Sequence, residues 1–132
     1  MAADLVITAI RPVVTIEQFT GPVNEAVALG QYVRINTTTG QVELGNGSSA
    51  GEARLGGLAL HAAVIGETVT AIRKGIVDVG EALVNLTWDD DVFLSNTDGT
   101  LADTAGTATL IVGTVVPGWG STAADKLLRL DL

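Results

Sequence analysis

The sequence consists of short apolar runs in which apolar and polar residues alternate, with glycines between the runs. In the last run, Leu128, Leu130 and Leu132 alternate with Arg129 and Asp131. A period of two is typical of strands that bury one face, and Gly-rich separators indicate turns. Helical patterning is confined to two short segments, Ser121–Lys126 and Gly51–Leu55. The pattern predicts strands at Leu5–Ile10, Val13–Phe19, Glu25–Leu29, Tyr32–Asn36, Gln41–Leu44, Arg54–His61, Thr68–Arg73, Ile76–Val79, Ala82–Thr87, Asp91–Ser95, Thr109–Val116 and Lys126–Leu132.

One stretch of the chain occurs twice. Residues 33–42 align without a gap on residues 92–101, 59 positions later (33 to 92). Each copy reads as a strand, a polar stretch ending in glycine and a second strand, which is typical of a β-hairpin. Residues 57–60 similarly match residues 113–116, 56 positions later (57 to 113). The sequence therefore predicts an all-β fold, a small β-barrel or pair of packed sheets built from two similar hairpin halves.

The first twenty residues differ from the rest of the chain. Pro12 interrupts the apolar pattern, and the preceding run is apolar for a strand at the start of a chain. We expect residues 1–20 to form an N-terminal arm or edge strand, and residues 21–132 to form a single β-barrel domain. Because a free apolar edge is an aggregation hazard, residues 4–19 are expected either to add to another chain's sheet or to form an ordinary first strand.

Charge and composition exclude several classes of function. The net charge is −8, and the seven basic residues are scattered, so no positive patch is available for nucleic acid or an anionic membrane. The chain has no cysteine, which excludes disulfides and thiolate metal sites. No leader peptide or long apolar run is recognisable, which predicts synthesis in the cytoplasm. A mean hydropathy of +0.42 with only 17% charged residues predicts apolar surface that other subunits cover.

Candidate chemical sites are few. The loop Gly47–Gly51 has the spacing of a nucleophile elbow, but the sole histidine, His61, lies in a β-patterned run with no α/β architecture around it. Asp89–Asp91 supplies oxygen ligands suited to Ca²⁺, without the spacing of an EF-hand. We therefore predict a protein that is not an enzyme and that uses no metal or cofactor, and we keep a carbohydrate- or Ca²⁺-binding module as a remote alternative.

Several segments together resemble the capsid decoration (cement) proteins of tailed bacteriophages. The resemblance is carried by the hairpin of residues 29–42, the strand 55–60, the turn at Gly66 that leads to residues 74–77, and the second hairpin ending at residues 112–115. It implies a tulip-like β-barrel that forms homotrimers on the outer surface of the virion and binds the major capsid protein. It also implies an N-terminal segment that reaches onto neighbouring subunits.

The predicted capsid or subunit interface follows from this reading. An exposed tryptophan is typical of binding hot spots, and Trp119 lies between two glycines in a predicted loop. The remaining candidates are the apolar residues of the arm. The full set is Leu5, Val6, Ile7, Ile10, Pro12, Val14 and Trp119. Another virion module, such as a fibre or tail accessory domain, shares this profile and remains an alternative.

Overall fold

The structure is a computed structural model that describes residues 4–118 and 125–132 of the chain. Nine strands and no α-helix occur in these two ranges, which confirms the predicted all-β class. Within them, accordingly, no helix is long and apolar enough to cross a membrane. The strands are β1 (Arg11–Pro22), β2 (Tyr32–Ile35), β3 (Val42–Leu44), β4 (Gly56–Ala59), β5 (Thr68–Asp78), β6 (Asp91–Leu94), β7 (Leu101–Ala102), β8 (Ile111–Pro117) and β9 (Lys126–Asp131).

The strands form one curled, antiparallel, barrel-like sheet. Its order is β3-β2-β4-β5-β9-β8-β6-β7, and β1 pairs with β5 beside this path. The long strand β5 is the centre of the sheet because it pairs with three others. It pairs with β1 along its length, with β4 where Ile72 lies opposite Leu58, and with β9 where Val77 lies opposite Leu128.

The internal repeat is preserved in the strand register. In the first hairpin, β2 pairs with β3 so that Arg34 lies opposite Glu43. In the second hairpin, β6 pairs with β7 so that Phe93 lies opposite Ala102. Both partners in the second pair lie 59 positions after their counterparts (34 to 93 and 43 to 102). The prediction of two similar hairpin halves is therefore confirmed down to the individual cross-strand pair.

A third strand belongs to each half of the repeat. Gly57 of β4 lies opposite Val33 of β2, and Gly113 of β8 lies opposite Val92 of β6. The three-strand unit β4-β2-β3 therefore recurs as β8-β6-β7 at the other end of the sheet. At both glycines the backbone of a neighbouring strand approaches so closely that a Cβ atom would overlap a carbonyl oxygen.

Backbone hydrogen bonds join the two halves where the curled sheet folds back on itself. The amide of Tyr32 donates to the carbonyl of Gly99 at 2.9 Å, and the amide of Gly99 donates to the carbonyl of Gly45 at 2.7 Å. Close by, the amide of Gly47 donates to the carbonyl of Ser95 at 2.7 Å. The positive φ of Gly99 (64°) places the turn so that Gly99 can bond to both Tyr32 and Gly45.

Two apolar clusters stabilise the sheet. The main cluster comprises Tyr32, Leu58, Ile72, Val77, Val79, Leu83, Leu86, Val92, Leu94, Leu101, Val112, Val115, Leu128, Leu130 and Leu132. The second cluster comprises Val23, Val27, Val33, Val42, Ala59, Ala63, Val69 and Ala71. Equivalent residues of the repeat enter different clusters, since Val33 belongs to the second and Val92 to the main one. The first half is therefore buried on both faces, which its alternating pattern does not reveal.

Three predicted strands are wrong. In Leu5–Ile10 and Glu25–Leu29 no strand forms, and only isolated bridges occur at the neighbouring Asp4 and at Val27. Residues Ala82–Thr87 form turns instead. Their apolar side chains still pack against the clusters, because alternation reports which side chains are buried and not whether the backbone pairs.

The predicted break between Thr68–Arg73 and Ile76–Val79 is also wrong, because β5 runs through both segments. Gly75, at the expected turn, adopts a φ of 143° and remains in the strand. A side chain there would overlap the carbonyl oxygen of Val14 in β1. Glycine therefore permits a close approach between two paired strands at this position, rather than a reversal of the chain.

Neither predicted helical turn is established. Residues 51–55 form turns, with the amides of Glu52 and Ala53 donating to the carbonyl of Ser49 at 3.2 and 3.0 Å. The segment Ser121–Lys126 lies largely outside the described residues, and Lys126 belongs to β9.

Candidate interaction surface

The most exposed strand of the protein is β1. Most of its side chains are exposed, including Val14 (43%) and Ile16 (73%). Within the described residues β1 pairs with β5 alone, so its opposite edge has no strand partner. An edge strand with free backbone groups and exposed apolar side chains is a template for pairing with another chain. We call the side chains and outer backbone of residues 11–18 the β1 edge.

The β1 edge carries two charged side chains. Arg11 donates to the carboxylate of Asp78 in β5 at 3.1 Å; the Arg11 side chain is well exposed to solvent and that of Asp78 is partly exposed. Glu17 lies opposite Lys74 of β5 in the strand register. Such solvent-exposed pairs contribute only about 0–1 kcal/mol to stability. The charges are therefore available to select a partner and its register rather than to hold β1 on the domain.

The segment that precedes β1 lies against its own domain. The Asp4 carboxylate accepts hydrogen bonds from the hydroxyls of Ser95 at 2.6 Å and Thr97 at 2.9 Å. The amide of Leu5 donates to the carbonyl of Leu101 at 2.8 Å. Ile7 fills the space left by the absent side chain of Gly30. These contacts fix residues 4–7 between two shallow grooves of about 320 and 250 Å³.

The predicted interface residues divide into three groups. Leu5, Ile7 and Ile10 are partly buried against the main cluster of this chain. Val6, Pro12 and Val14 are exposed. Trp119 lies outside the described residues. The structure therefore exposes three of the predicted residues, and two of them, Pro12 and Val14, belong to the β1 edge.

Sequence reasoning missed two of the most exposed apolar side chains. Ile16 (73% exposed) lies on β1 at a register shift, since Thr15 pairs with Gly75 and Glu17 with Lys74, so a period-two pattern does not identify it. Ile65 (71% exposed) lies in the turn before β5, next to exposed Val64. That turn is well ordered by hydrogen bonds, since the Glu67 carboxylate accepts the amide of Val64 at 2.8 Å. Nothing in its local sequence distinguishes it from a buried run.

The aspartate cluster has a structural role in its turn. The Asp90 carboxylate accepts the amide of Thr87 at 2.8 Å, and the amide of Val115 donates to the Asp90 carbonyl at 2.9 Å. Asp89 adopts a positive φ of 67°, which Asp tolerates better than most residues. Across the described ranges, no group of three His, Cys, Asp or Glu side chains is placed to hold a metal ion.

The histidine and the serine-containing loop each bond to their own surroundings. The His61 Nε2 accepts the amide of Thr70 at 3.1 Å, and Nδ1 lies 2.9 Å from the carbonyl oxygen of Ala62. This arrangement fits a neutral ring with its proton on Nδ1. In the loop Gly47–Gly51, Ser49 Oγ donates to the Glu52 carboxylate at 3.3 Å. Ser49 therefore holds its own turn, and His61 joins the segment after β4 to β5.

Two buried polar side chains stabilise the barrel. The Tyr32 hydroxyl donates to the carbonyl of Arg54 at 2.7 Å, and burial raises the pKa of Tyr32 well above its ordinary value. Lys126 is only 7% exposed, donates to the carbonyls of Val84 and Leu86, and lies 5.1 Å from the centre of the Trp88 ring. This lysine ties β9 to the turns of residues 80–86.

The β1 edge is therefore the best-supported candidate for a functional surface. Comparisons with protein-family models, with curated proteins and with solved structures found no match to the chain.

Proposed function

We propose that the protein is a structural capsid decoration protein that binds the outside of a tailed-phage head as a homotrimer and stabilises the shell. The observation that carries this proposal is the β1 edge, a strand of twelve residues that exposes Val14 and Ile16 and pairs with β5 alone among the described strands. An exposed apolar edge is an aggregation hazard for a monomer, whereas a subunit of a shell can pair it with a neighbouring sheet.

The proposed mechanism uses repeated weak contacts. A closed trimer presents three equal contacts to a threefold site on a capsid, so modest affinities combine into slow release. By bridging several copies of the major capsid protein, the trimer opposes the outward pressure of packaged DNA. The net charge of −8 suits the outer face of the shell, because an acidic surface discourages binding to the genome.

The second candidate function is another virion module, such as a fibre or tail accessory domain. The same edge strand favours it, since it also assembles with other subunits. A Ca²⁺- or carbohydrate-binding module is less well supported, because the Asp90 carboxylate is already engaged by the Thr87 amide. The candidates differ in the partner, so binding to heads separates the first from the second.

The experiment is a binding assay on purified phage heads that lack this protein. Deletion of the arm is a poor probe, because it removes Leu5, Ile7 and Ile10 from the main cluster. A better pair is Ile16→Glu and Ile65→Glu, which replace the same residue type at 73% and 71% exposure, on and off the β1 edge. We expect Ile16→Glu to abolish co-sedimentation with heads and Ile65→Glu to retain it.

Two results would count against this proposal. Equal binding of both variants would remove the β1 edge from the capsid contact. Light scattering that gives a monomer mass for the purified protein at high concentration would contradict the homotrimer. Binding to tails or fibres, with none to heads, would favour the second candidate.

A further inference from the structure

The two halves of the barrel meet at an asparagine–glycine pair. Asn46 and Gly47 follow β3 in the first half and bond to residues 95–108 of the second, and we call these bonds the inter-half contact. They form the only Asn-Gly pair in the sequence. In such a pair the backbone nitrogen of glycine can attack the asparagine side chain, because glycine has no Cβ atom to hinder ring closure. Asn46 is therefore the asparagine of this chain most prone to spontaneous deamidation.

The deamidation reaction needs only water as a co-reactant. A bond forms between the Gly47 nitrogen and Cγ of Asn46, and the bond from Cγ to Nδ2 breaks. Nδ2 leaves as ammonia, together with the proton that the Gly47 nitrogen loses, and a succinimide ring remains. Water then opens the ring at either carbonyl and leaves aspartate or isoaspartate at position 46. Both products carry a carboxylate in place of the neutral amide.

The fold requires the glycine of this pair. A Cβ atom on Gly47 would lie 2.6 Å from the carbonyl oxygen of Leu94, closer than real Cβ atoms approach. Gly47 also bonds to the second half through both of its backbone groups. Its amide donates to the carbonyl of Ser95 at 2.7 Å, and its carbonyl accepts the amide of Ala108 at 2.7 Å. The residue that makes Asn46 reactive is thus needed for the close approach of the two halves.

The fold also occupies the groups that would react. The N–H of Gly47, whose proton is lost on ring closure, is donated to Ser95. The Asn46 side chain is held at both ends, since Nδ2 donates to the carboxylate of Asp98 at 2.5 Å and Oδ1 accepts the amide of Ser48 at 2.7 Å. Ring closure requires the Gly47 hydrogen bond to break, so it is restricted to molecules in which the inter-half contact has opened locally.

We propose that Asn46 is a deamidation site that the inter-half contact keeps unreactive, and that conversion of Asn46 to aspartate weakens this contact. A carboxylate at position 46 faces the Asp98 carboxylate where a hydrogen bond of 2.5 Å now lies. Repulsion between like charges then replaces attraction. A molecule that has opened and reacted closes the contact less well, so the site acts as an irreversible ageing switch. The inference goes beyond the proposed function and depends on neither the phage setting nor the β1 edge.

The first test measures deamidation of the full chain by peptide mass spectrometry, which detects the gain in mass when NH is replaced by O. The protein is incubated folded in buffer, or unfolded in guanidinium chloride, at the same pH and temperature. We expect Asn46 to convert at least about tenfold more slowly in the folded protein, since its reaction waits for a local opening. The internal controls for the unfolded chain precede residues that have side chains; they are Asn24, Asn36, Asn85 and Asn96.

Two results of this test would overturn the proposal. Equal conversion of Asn46 in the folded and unfolded protein would show that the inter-half contact does not protect it. Conversion of Asn46 in the unfolded chain no faster than that of the other asparagines would show that the Asn-Gly pair is not a reactive site.

The second test introduces the product directly and follows thermal unfolding. Asn46→Asp is expected to lower the melting temperature by about 4 °C or more, because repulsion replaces a charge-assisted hydrogen bond. Adding Asp98→Asn restores a hydrogen bond with donor and acceptor exchanged, and is expected to recover most of the loss. Asn96→Asp is the control for the added charge, since its partner, the hydroxyl of Thr107, can donate to a carboxylate.

The outcome of the second test decides whether conversion weakens the inter-half contact. A loss for Asn46→Asp no larger than that for Asn96→Asp would refute the switch. So would a double variant no more stable than Asn46→Asp, because the loss would then not arise from the two facing carboxylates.

Discussion

Replacing Gly113 by alanine tests whether close backbone contact at matched glycines joins each three-strand unit to the strand beside it, β8 to β9 and β4 to β5. A Cβ atom on Gly113 would overlap the carbonyl oxygen of Arg129 in β9. At the matching position in the first half, a Cβ atom on Gly57 would lie 2.5 Å from the carbonyl oxygen of Ile72 in β5. Distances below 3.0 Å are essentially never observed for real Cβ atoms, so a strand must shift to accept either alanine.

The expected loss of stability depends on the atom that the added Cβ would overlap. Overpacking costs about 1–3 kcal/mol when neighbouring groups can adjust. The neighbour here is a backbone carbonyl in a paired strand, which cannot rotate away as a flexible side chain does. We therefore expect Gly113→Ala to lower the free energy of unfolding by about 3 kcal/mol and Gly57→Ala by about 2–3 kcal/mol. This is a large part of the roughly 5–15 kcal/mol typical of a whole domain.

The assay is urea unfolding followed by circular dichroism, with the midpoint and slope fitted separately. Gly51→Ala is the matched control, because a Cβ atom there has no neighbour within 4 Å. We expect that control to change stability by no more than about 0.5–1 kcal/mol. A loss below about 1 kcal/mol for Gly113→Ala, with an unchanged slope, would show that the strands are not held by this close approach.

Three further predictions concern side chains that are buried or partly buried. Tyr32 is the only tyrosine, so absorbance at 295 nm reports its ionisation alone. Because burial raises the pKa of Tyr32 in the folded state, its contribution to stability should be constant below about pH 10 and should fall as the pH rises beyond it. Ionisation of Tyr32 in the folded protein near pH 10 would contradict this. Glu43→Ala should cost about 2–3 kcal/mol, because it leaves Arg34 without its ion pair and the side chains of Asn24 and Asn36 without their acceptor. Arg34→Phe combined with Glu43→Ala copies the Phe93–Ala102 pair and removes the unpaired charge, so it should cost less than Glu43→Ala alone; an additive loss in thermal unfolding would refute the equivalence of the two hairpins. Leu83 is fully buried, so Leu83→Ala should lower the free energy of unfolding by about 2–5 kcal/mol. Its exposed neighbour is the control, and Val84→Ala should cost less than about 1 kcal/mol in the same denaturation assay. Similar losses for both variants would show that the turn of residues 80–86 is not anchored in the main cluster.

Much of the architecture was predictable because the pairing of two strands in a hairpin depends on the spacing of residues within one short segment. The repeat of residues 33–42 at 92–101 fixes the same number of residues between paired positions, so the Arg34–Glu43 and Phe93–Ala102 pairs occur in the same register. Alternation likewise identified β9, whose Leu128 and Leu130 are buried. These features depend on spacing along one segment, which a sequence displays directly.

The candidate surface was only partly predictable. Leu5 and Ile7 have the same apolar character as Ile16, yet the first two pack on the main cluster and the third faces solvent. The difference arises from distant groups: the amide of Leu5 meets the carbonyl of Leu101, and Ile7 fits beside Gly30. No local pattern records such contacts, because they join residues far apart in the chain.

By itself, the sequence determined the all-β class, the hairpins and the presence of two similar halves. Only the tertiary structure decided which way each half faces. Val33 and Val92 occupy equivalent positions, but Val33 is buried in the second cluster, together with Val23 and Val27, and Val92 in the main one. Alternation specifies that one face of a strand is buried. Which element covers that face depends on the packing of distant segments across the curled sheet.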